Sequence, residues 1–215
     1  MSVPPFEAAS STTIPRTEGE ANGVEDRAGR ERPPTSVELL DNSHLYRFGF
    51  KGPRAAEWLH QHGIAVPAMP NTWIALTGEG PALVARLGHT EFFIEYAQAE
   101  PAIKQLIEEL ATPLDGVYPV LREDRALVLR GDDLHDVLAQ VCNVDFKSVS
   151  RAGRPVVMTM MAGIAVLVIP KNEKWGQSPS SDQQRLGTVP TCRIWCDPSF
   201  GDYLWSTLQD VVRGA

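Results

Sequence analysis

Tyr46, Phe48 and Phe50 alternate with polar or small residues, the period-2 signature of a strand with one buried face. Gly52-Pro53 then opens a helix, with proline at a favoured first-turn position. Ala55, Ala56 and Leu59 supply its inner face, and Gly63 ends it. Trp73 to Thr77 and Ala82 to Leu87 read as strands joined through the turn Gly78-Glu79-Gly80-Pro81. Gly88-His89-Thr90 turns into Glu91 to Tyr96, where Phe92, Ile94 and Tyr96 share one face. Ile103, Leu106, Ile107 and Leu110 follow at the i, i+3, i+4, i+7 spacing of a helix with a buried stripe.

The same order then recurs. Arg125 to Arg130 is a strand ended by Gly131, and Asp132-Asp133 place negative charge at a helix start. Leu134, Val137, Leu138 and Val141 give that helix its stripe. Val156 to Met161 and Ile164 to Ile169 form a hairpin around Ala162-Gly163, and a polar loop, Lys171 to Gly187, interrupts the pattern. A strand, Thr191 to Cys196, leads into a last helix with Pro198 and Ser199 at its start and Phe200, Leu204, Leu208 and Val211 inward. RFGFKGPRAAEWL and ALVLRGDDLHDVL align without a gap, setting Gly52 over Gly131 and Leu59 over Leu138. The expected fold is therefore α+β: duplicated strand-helix-strands-helix, ferredoxin-like halves, with helices packed on mainly antiparallel sheets.

Residues 1–36 hold five prolines and many Ser, Thr and Glu without any period, so they are expected to be a disordered tail. Such a tail could still order on a partner. Residues 37–215 form the expected domain, with halves at about 44–114 and 117–213. Apolar residues make up 43% of the 215, enough for a sizeable core. A net charge of −7 with no basic run argues against nucleic acid, whose phosphates are bound by Lys and Arg. The longest apolar run, Met160 to Pro170, falls far short of the ~20 residues that span a bilayer and reads as a buried strand. The N-terminus lacks an apolar signal region, and the three cysteines leave an odd thiol, so a reducing cytoplasm is expected.

Reactive groups do not cluster. Cys192 and Cys196 lie on one face of a strand about 13 Å apart, too far to share a zinc, and Cys142 completes the thiols. His60 and His62 point in nearly opposite directions on a helix, and His44, His89 and His135 are isolated. No nucleophile elbow, phosphate loop or dinucleotide fingerprint is present, and Asp132-Asp133 and Glu108-Glu109 are expected to face water. No catalytic, metal or cofactor-binding residue is assigned. Trp58 and Trp205 flank the apolar stripes of the first and last helices, with Tyr203 on the other flank of the latter. They rim the core or, as exposed aromatics, anchor a protein partner.

FGFKGPRAAEWL at 48–59, LGHTEFFIEY at 87–96 and SFGDYLWSTL at 199–208 resemble the gamma subunit of heterotetrameric sarcosine oxidase. The resemblance runs over roughly residues 44–212, its last motif being the most specific; the tail and the 171–187 loop stand outside it. It implies a fold related to the folate-binding aminomethyltransferase domain. It also implies larger flavoprotein subunits as partners, which carry FAD, FMN, NAD and tetrahydrofolate while they demethylate N-methyl amines or amino acids. The family's gamma subunit brings no catalytic residue to transfer. Two alternatives stand beside it: a stand-alone folate-binding aminomethyltransferase-like protein, and a regulatory or scaffolding domain. Against the first, the chain is short for such an enzyme and lacks a K-G-C-x-T-G-Q stretch.

Overall fold

The computed structural model describes residues 35–76, 82–96, 106, 108, 109, 112, 114–149, 153–171 and 189–214. The expected tail up to residue 34, the 78–81 turn, most of the helix around Leu106 and most of the 171–187 loop lie outside the described residues, while Thr35 and Ser36 of that tail are described and bond to Val212 and Asp133. In chain order the elements are β1 (Val37–Asp41), β2 (Tyr46–Lys51), α1 (Ala55–Gln61), β3 (Thr72–Ala75), β4 (Ala82–Arg86) and β5 (Glu91–Tyr96). There follow β6 (Tyr118–Val120), β7 (Arg125–Gly131), α2 (Leu134–Val141), α3 (Phe146–Val149), β8 (Val157–Met161) and β9 (Ile164–Lys171). β10 (Thr191–Cys196) leads through a 3-10 turn, Pro198–Phe200, into α4 (Gly201–Arg213).

Two five-stranded sheets result, ordered β3-β4-β5-β2-β6 and β8-β9-β10-β7-β1, and every strand pairing in them is antiparallel. The sheets carry three cores. Phe50, Val84, Phe92 and Ile94 of the first sheet pack against Ala55, Trp58 and Leu59 of α1 and against Leu106. Leu127, Leu129, Val168 and Ile194 of the second pack against Leu134, Val137 and Leu138 of α2 and Leu204 and Leu208 of α4. Trp73, Leu83, Ala85 and Phe93 meet Ala126, Ile169 and Trp195 between the sheets. Strands buried on both faces explain why β4 and β5 read as near-continuous apolar runs.

The expected α+β class holds, and the two sheets match strand for strand. They differ from four-stranded ferredoxin-like units in having a fifth strand each, and that strand is exchanged. β1 precedes β2 in the chain yet pairs with β7, Val37 facing Gly131 and Leu39 facing Leu129. β6 precedes β7 yet pairs with β2, Lys51 facing Tyr118. Each half thus lends its leading strand to the other's sheet. Gly52 and Gly131, aligned in sequence, sit where the borrowed strands enter. A Cβ on Gly52 would lie 2.2 Å from the Gly116 carbonyl oxygen, and one on Gly131 1.9 Å from that of Ser36. Their φ angles of 137° and 152° also favour glycine. Beyond them, the Arg54 N–H donates to the Gly116 carbonyl at 3.0 Å, and the Asp133 N–H donates to Ser36 Oγ at 3.2 Å.

Several local expectations are corrected. α1 starts at Ala55 with Arg54 as its N-cap, so Pro53 lies in the preceding turn and not in the first helical turn. Phe200 ends the 3-10 turn and is 48% exposed, while Gly201 takes the buried position at the helix start. Gly63, with φ of 74°, does terminate α1, and Ala162 and Gly163 close the β8–β9 hairpin with positive φ at both positions.

Candidate functional site

The polar feature at the centre of the molecule is a buried ion cluster between the sheets. Along β5, Phe92, Ile94 and Tyr96 face α1, so the period of two turns Phe93 and Glu95 toward the second sheet. Along β10, Cys192, Ile194 and Cys196 face the helices, so Arg193 and Trp195 point back. Glu95 is 1% exposed. Its Oε1 meets Arg193 Nη2 at 2.7 Å, and its Oε2 meets Arg47 Nη1 at 3.3 Å and accepts from Trp195 Nε1 at 2.6 Å. Arg47 also donates to the carbonyls of Asn42 and Ser43. Burial pulls the Arg193 pKa down, as does neighbouring Arg47, and Glu95 opposes both. The guanidinium keeps its proton, because arginine starts so high. Phe93 packs edge-on to Trp195 at 5.3 Å and seals the cluster. The arrangement ties β2 and β5 of one half to β10 of the other, and it carries no nucleophile.

The thiols are equally quiet. Cys142, Cys192 and Cys196 are free and buried in the helix-facing core of the second sheet. Burial raises the Cys192 thiol well above its ordinary range and raises Cys196 to about 11, with Asp124 and Asp197 adding to the latter. Neutral thiols of this kind are poor nucleophiles and poor metal ligands. Among the described residues, no group of three or more His, Cys, Asp or Glu side chains is placed to hold a metal ion.

On the outer face of the first sheet, His62 Nδ1 lies 2.8 Å from the Trp58 carbonyl and Nε2 lies 2.6 Å from Glu109 Oε2. Both ring nitrogens therefore face acceptors. Glu109, expected in water, bridges α1 to the helix that follows β5, whereas Glu108 is exposed. A shallow cleft beside α1 is lined by Arg54, Trp58, Leu114, Asp115 and Val117, with Arg54 and Asp115 3.6 Å apart at its exposed mouth.

The three aromatic candidates do not form one patch. Trp58 is 8% exposed, edge-on to Phe50 at 5.6 Å, and belongs to the core. Trp205 is half-buried against the core of the second sheet. Tyr203 is 56% exposed, and Phe200 lies one helical turn before it, also exposed. Met160, which opens the apolar run expected to be a buried strand, is 55% exposed, and Met158 before it is 58% exposed, a surface that sequence reasoning missed. It also missed the Glu95 cluster, for which a charged residue inside the apolar strand Thr191–Cys196 was the available signal.

No protein-family profile matches the chain, and no curated protein sequence matches it. Solved structures do. A chain of the heterotetrameric sarcosine oxidase from Corynebacterium sp. U-96, in complex with pyrrole 2-carboxylate, superposes with a TM-score of 0.60 at 20% identity. The match covers 82% of this chain and 83% of that one. This is the fold of a sarcosine oxidase chain. The glycine cleavage system aminomethyltransferase T from Bartonella henselae superposes with a TM-score of 0.56 at 15% identity. There the match covers 81% of this chain but spans only 46% of the aminomethyltransferase. The fold relation implied by the three sequence motifs, to sarcosine oxidase and to the aminomethyltransferase domain, is thus observed. Among the described residues, no helix is long and apolar enough to cross a membrane.

Proposed function

We propose that this chain is a non-catalytic accessory subunit of a multisubunit, flavin- and folate-dependent oxidoreductase of the sarcosine oxidase type, which demethylates N-methyl amines or amino acids. The observation that carries the reading is extent: the sarcosine oxidase match covers over four-fifths of both chains, whereas the aminomethyltransferase has as much again beyond it. The interior supports it too. The space between the sheets is filled by Phe93, Trp195 and the Glu95 ion cluster, and the cysteines are sealed. In this reading FAD, FMN, NAD and tetrahydrofolate reside in larger partner subunits, and the assembly works in the cytoplasm. The resemblance to the gamma subunit at 199–208 falls on the 3-10 turn and α4, where Phe200 and Tyr203 are exposed.

The test is co-purification of the tagged full-length chain from its own cells. Flavin-containing partners in fixed ratio, with N-methyl amine oxidation by the assembly and none by the isolated chain, are expected. Saturable, tight binding of tetrahydrofolate to the isolated chain would instead favour the stand-alone aminomethyltransferase-like reading. Recovery without any flavoprotein would sink the accessory role.

A further inference from the structure

The chain has four tyrosines, and two of them are held ring to ring. Tyr46 opens β2 and Tyr96 closes β5, and the strand register sets them directly opposite each other. Their ring centroids are 5.4 Å apart and their planes 20° from parallel, a stacked cross-strand pair. The next register pair is Arg47 and Glu95, whose side chains meet at 3.3 Å on the opposite face of the sheet. That ion pair is buried, so both backbones are pinned immediately beside the stacked rings.

The two rings differ in access. Tyr46 is 55% exposed, whereas Tyr96 is 4% exposed and touches Phe48 edge-on at 5.8 Å. Phe48 in turn meets Phe50 at 5.0 Å, so a run of rings leads from the core to the surface and ends in two phenols. A phenol can lose an electron and a proton together to give a neutral radical, with spin on the carbons ortho to oxygen. A phenyl ring has no such proton to lose. Tyr118 and Tyr203 are also exposed, but among the described residues neither rests against another tyrosine. The thiols, which reduce tyrosyl radicals readily, are buried in the helix-facing core of the second sheet.

We infer that Tyr46 and Tyr96 form a site of oxidative modification, at which hydrogen peroxide acting through a peroxidase joins them as dityrosine. Each phenol gives up one electron and one proton. Tyr46 is oxidised at the surface, recovers an electron and a proton from Tyr96 across the stack, and is then oxidised again. A carbon ortho to each hydroxyl forms the new carbon–carbon bond, and the hydrogen on each of those carbons moves to oxygen to restore the phenols. Hydrogen peroxide takes up the two electrons and two protons and leaves as two waters. Because the rings are already opposed, coupling within the chain outruns coupling to a tyrosine that has to arrive by diffusion. The bond encloses α1, β3 and β4 in a covalent loop from Tyr46 to Tyr96. It needs no partner subunit and stands or falls separately from the accessory role.

The test treats the full-length chain with hydrogen peroxide and a haem peroxidase, follows dityrosine fluorescence and maps linked peptides in the monomer by mass spectrometry. The wild-type monomer is expected to gain the fluorescence and to yield a linked pair of peptides holding Tyr46 and Tyr96. Tyr46→Phe keeps a ring in the stack and should lose the monomer's fluorescence, while Tyr118→Phe/Tyr203→Phe should retain it. Wild-type chain that gives no Tyr46–Tyr96 peptide pair, or that links only to other chains through Tyr118 or Tyr203, would overturn the inference whether or not the variants fold. Undiminished monomer fluorescence from Tyr46→Phe would overturn it as well.

Discussion

Glu95 shows how much one side chain can hold. Its carboxylate pairs with two guanidiniums and accepts from an indole in space that water does not reach. Replacing it with glutamine would leave Arg47 and Arg193 uncompensated. A loss of about 3–5 kcal/mol is expected, read from the urea midpoint at constant m-value. Gly131 is limiting for a different reason. Gly131→Ala would drive a methyl group into the Ser36 carbonyl and adopt a φ that suits glycine. The expected cost is on the order of 1–3 kcal/mol of backbone strain, with Gly52→Ala behaving alike at the related position. Charge at Trp58 would disturb the core, since the ring packs edge-on to Phe50 and tilted against His62.

Among the elements, β1 makes the exchange testable. A chain lacking residues 1–41 should lose hydrogen-exchange protection first in β7, which β1 pairs with, and in α4, which β1 packs against and Thr35 bonds to, and not in β2, its neighbour in sequence. Protection lost in β2 instead would contradict the pairing. The clasp at this entry also has a pH signature. The Ser36 backbone N–H, and then its hydroxyl, hold the Asp133 carboxylate below its usual 3.8. Because the folded value is depressed, the stabilisation is complete above that pH and disappears as pH falls through the lower, folded value. Asp133→Asn should therefore flatten the dependence of melting temperature on pH below about 4, with little change in its shape near neutrality.

The same elements show where sequence reading succeeds and stops. Alternation at Tyr46, Phe48 and Phe50 and the stripe Leu134, Val137, Leu138 are local, so β2 and α2 could be placed from their own residues. The alignment of Gly52 with Gly131 exposed the duplication for the same reason. Strand exchange was hidden because it is a choice of partner: Val37 meets Gly131 across most of the domain, and nothing in VELLD names its mate. Phe200 and Met160 were misjudged because apolar residues were equated with burial, although apolar side chains also form much of any folded surface. Glu95 and Arg193 sit at inward strand positions, and their meaning emerges when the two sheets are brought face to face.

At the scale of the whole molecule, the halves are interlocked. Neither 37–114 nor 117–214 contains the fifth strand of its own sheet, so each alone should be unfolded or aggregated. Produced together, they should assemble into a particle with the circular dichroism of the intact chain. Independent folding of either half would contradict the exchange. The two sheets lie face to face at the centre, with the helices on their outer sides.

The sealed cysteines have a practical consequence. A thiol-specific reagent reaches Cys142, Cys192 and Cys196 when the layer of α2 and α4 lifts from the second sheet, so colour development by such a reagent becomes a clock for that opening. In native buffer the chain should stay silent, and it should report three equivalents once urea melts it. A fast reaction of one or two equivalents before melting would mean that part of this layer opens ahead of the rest.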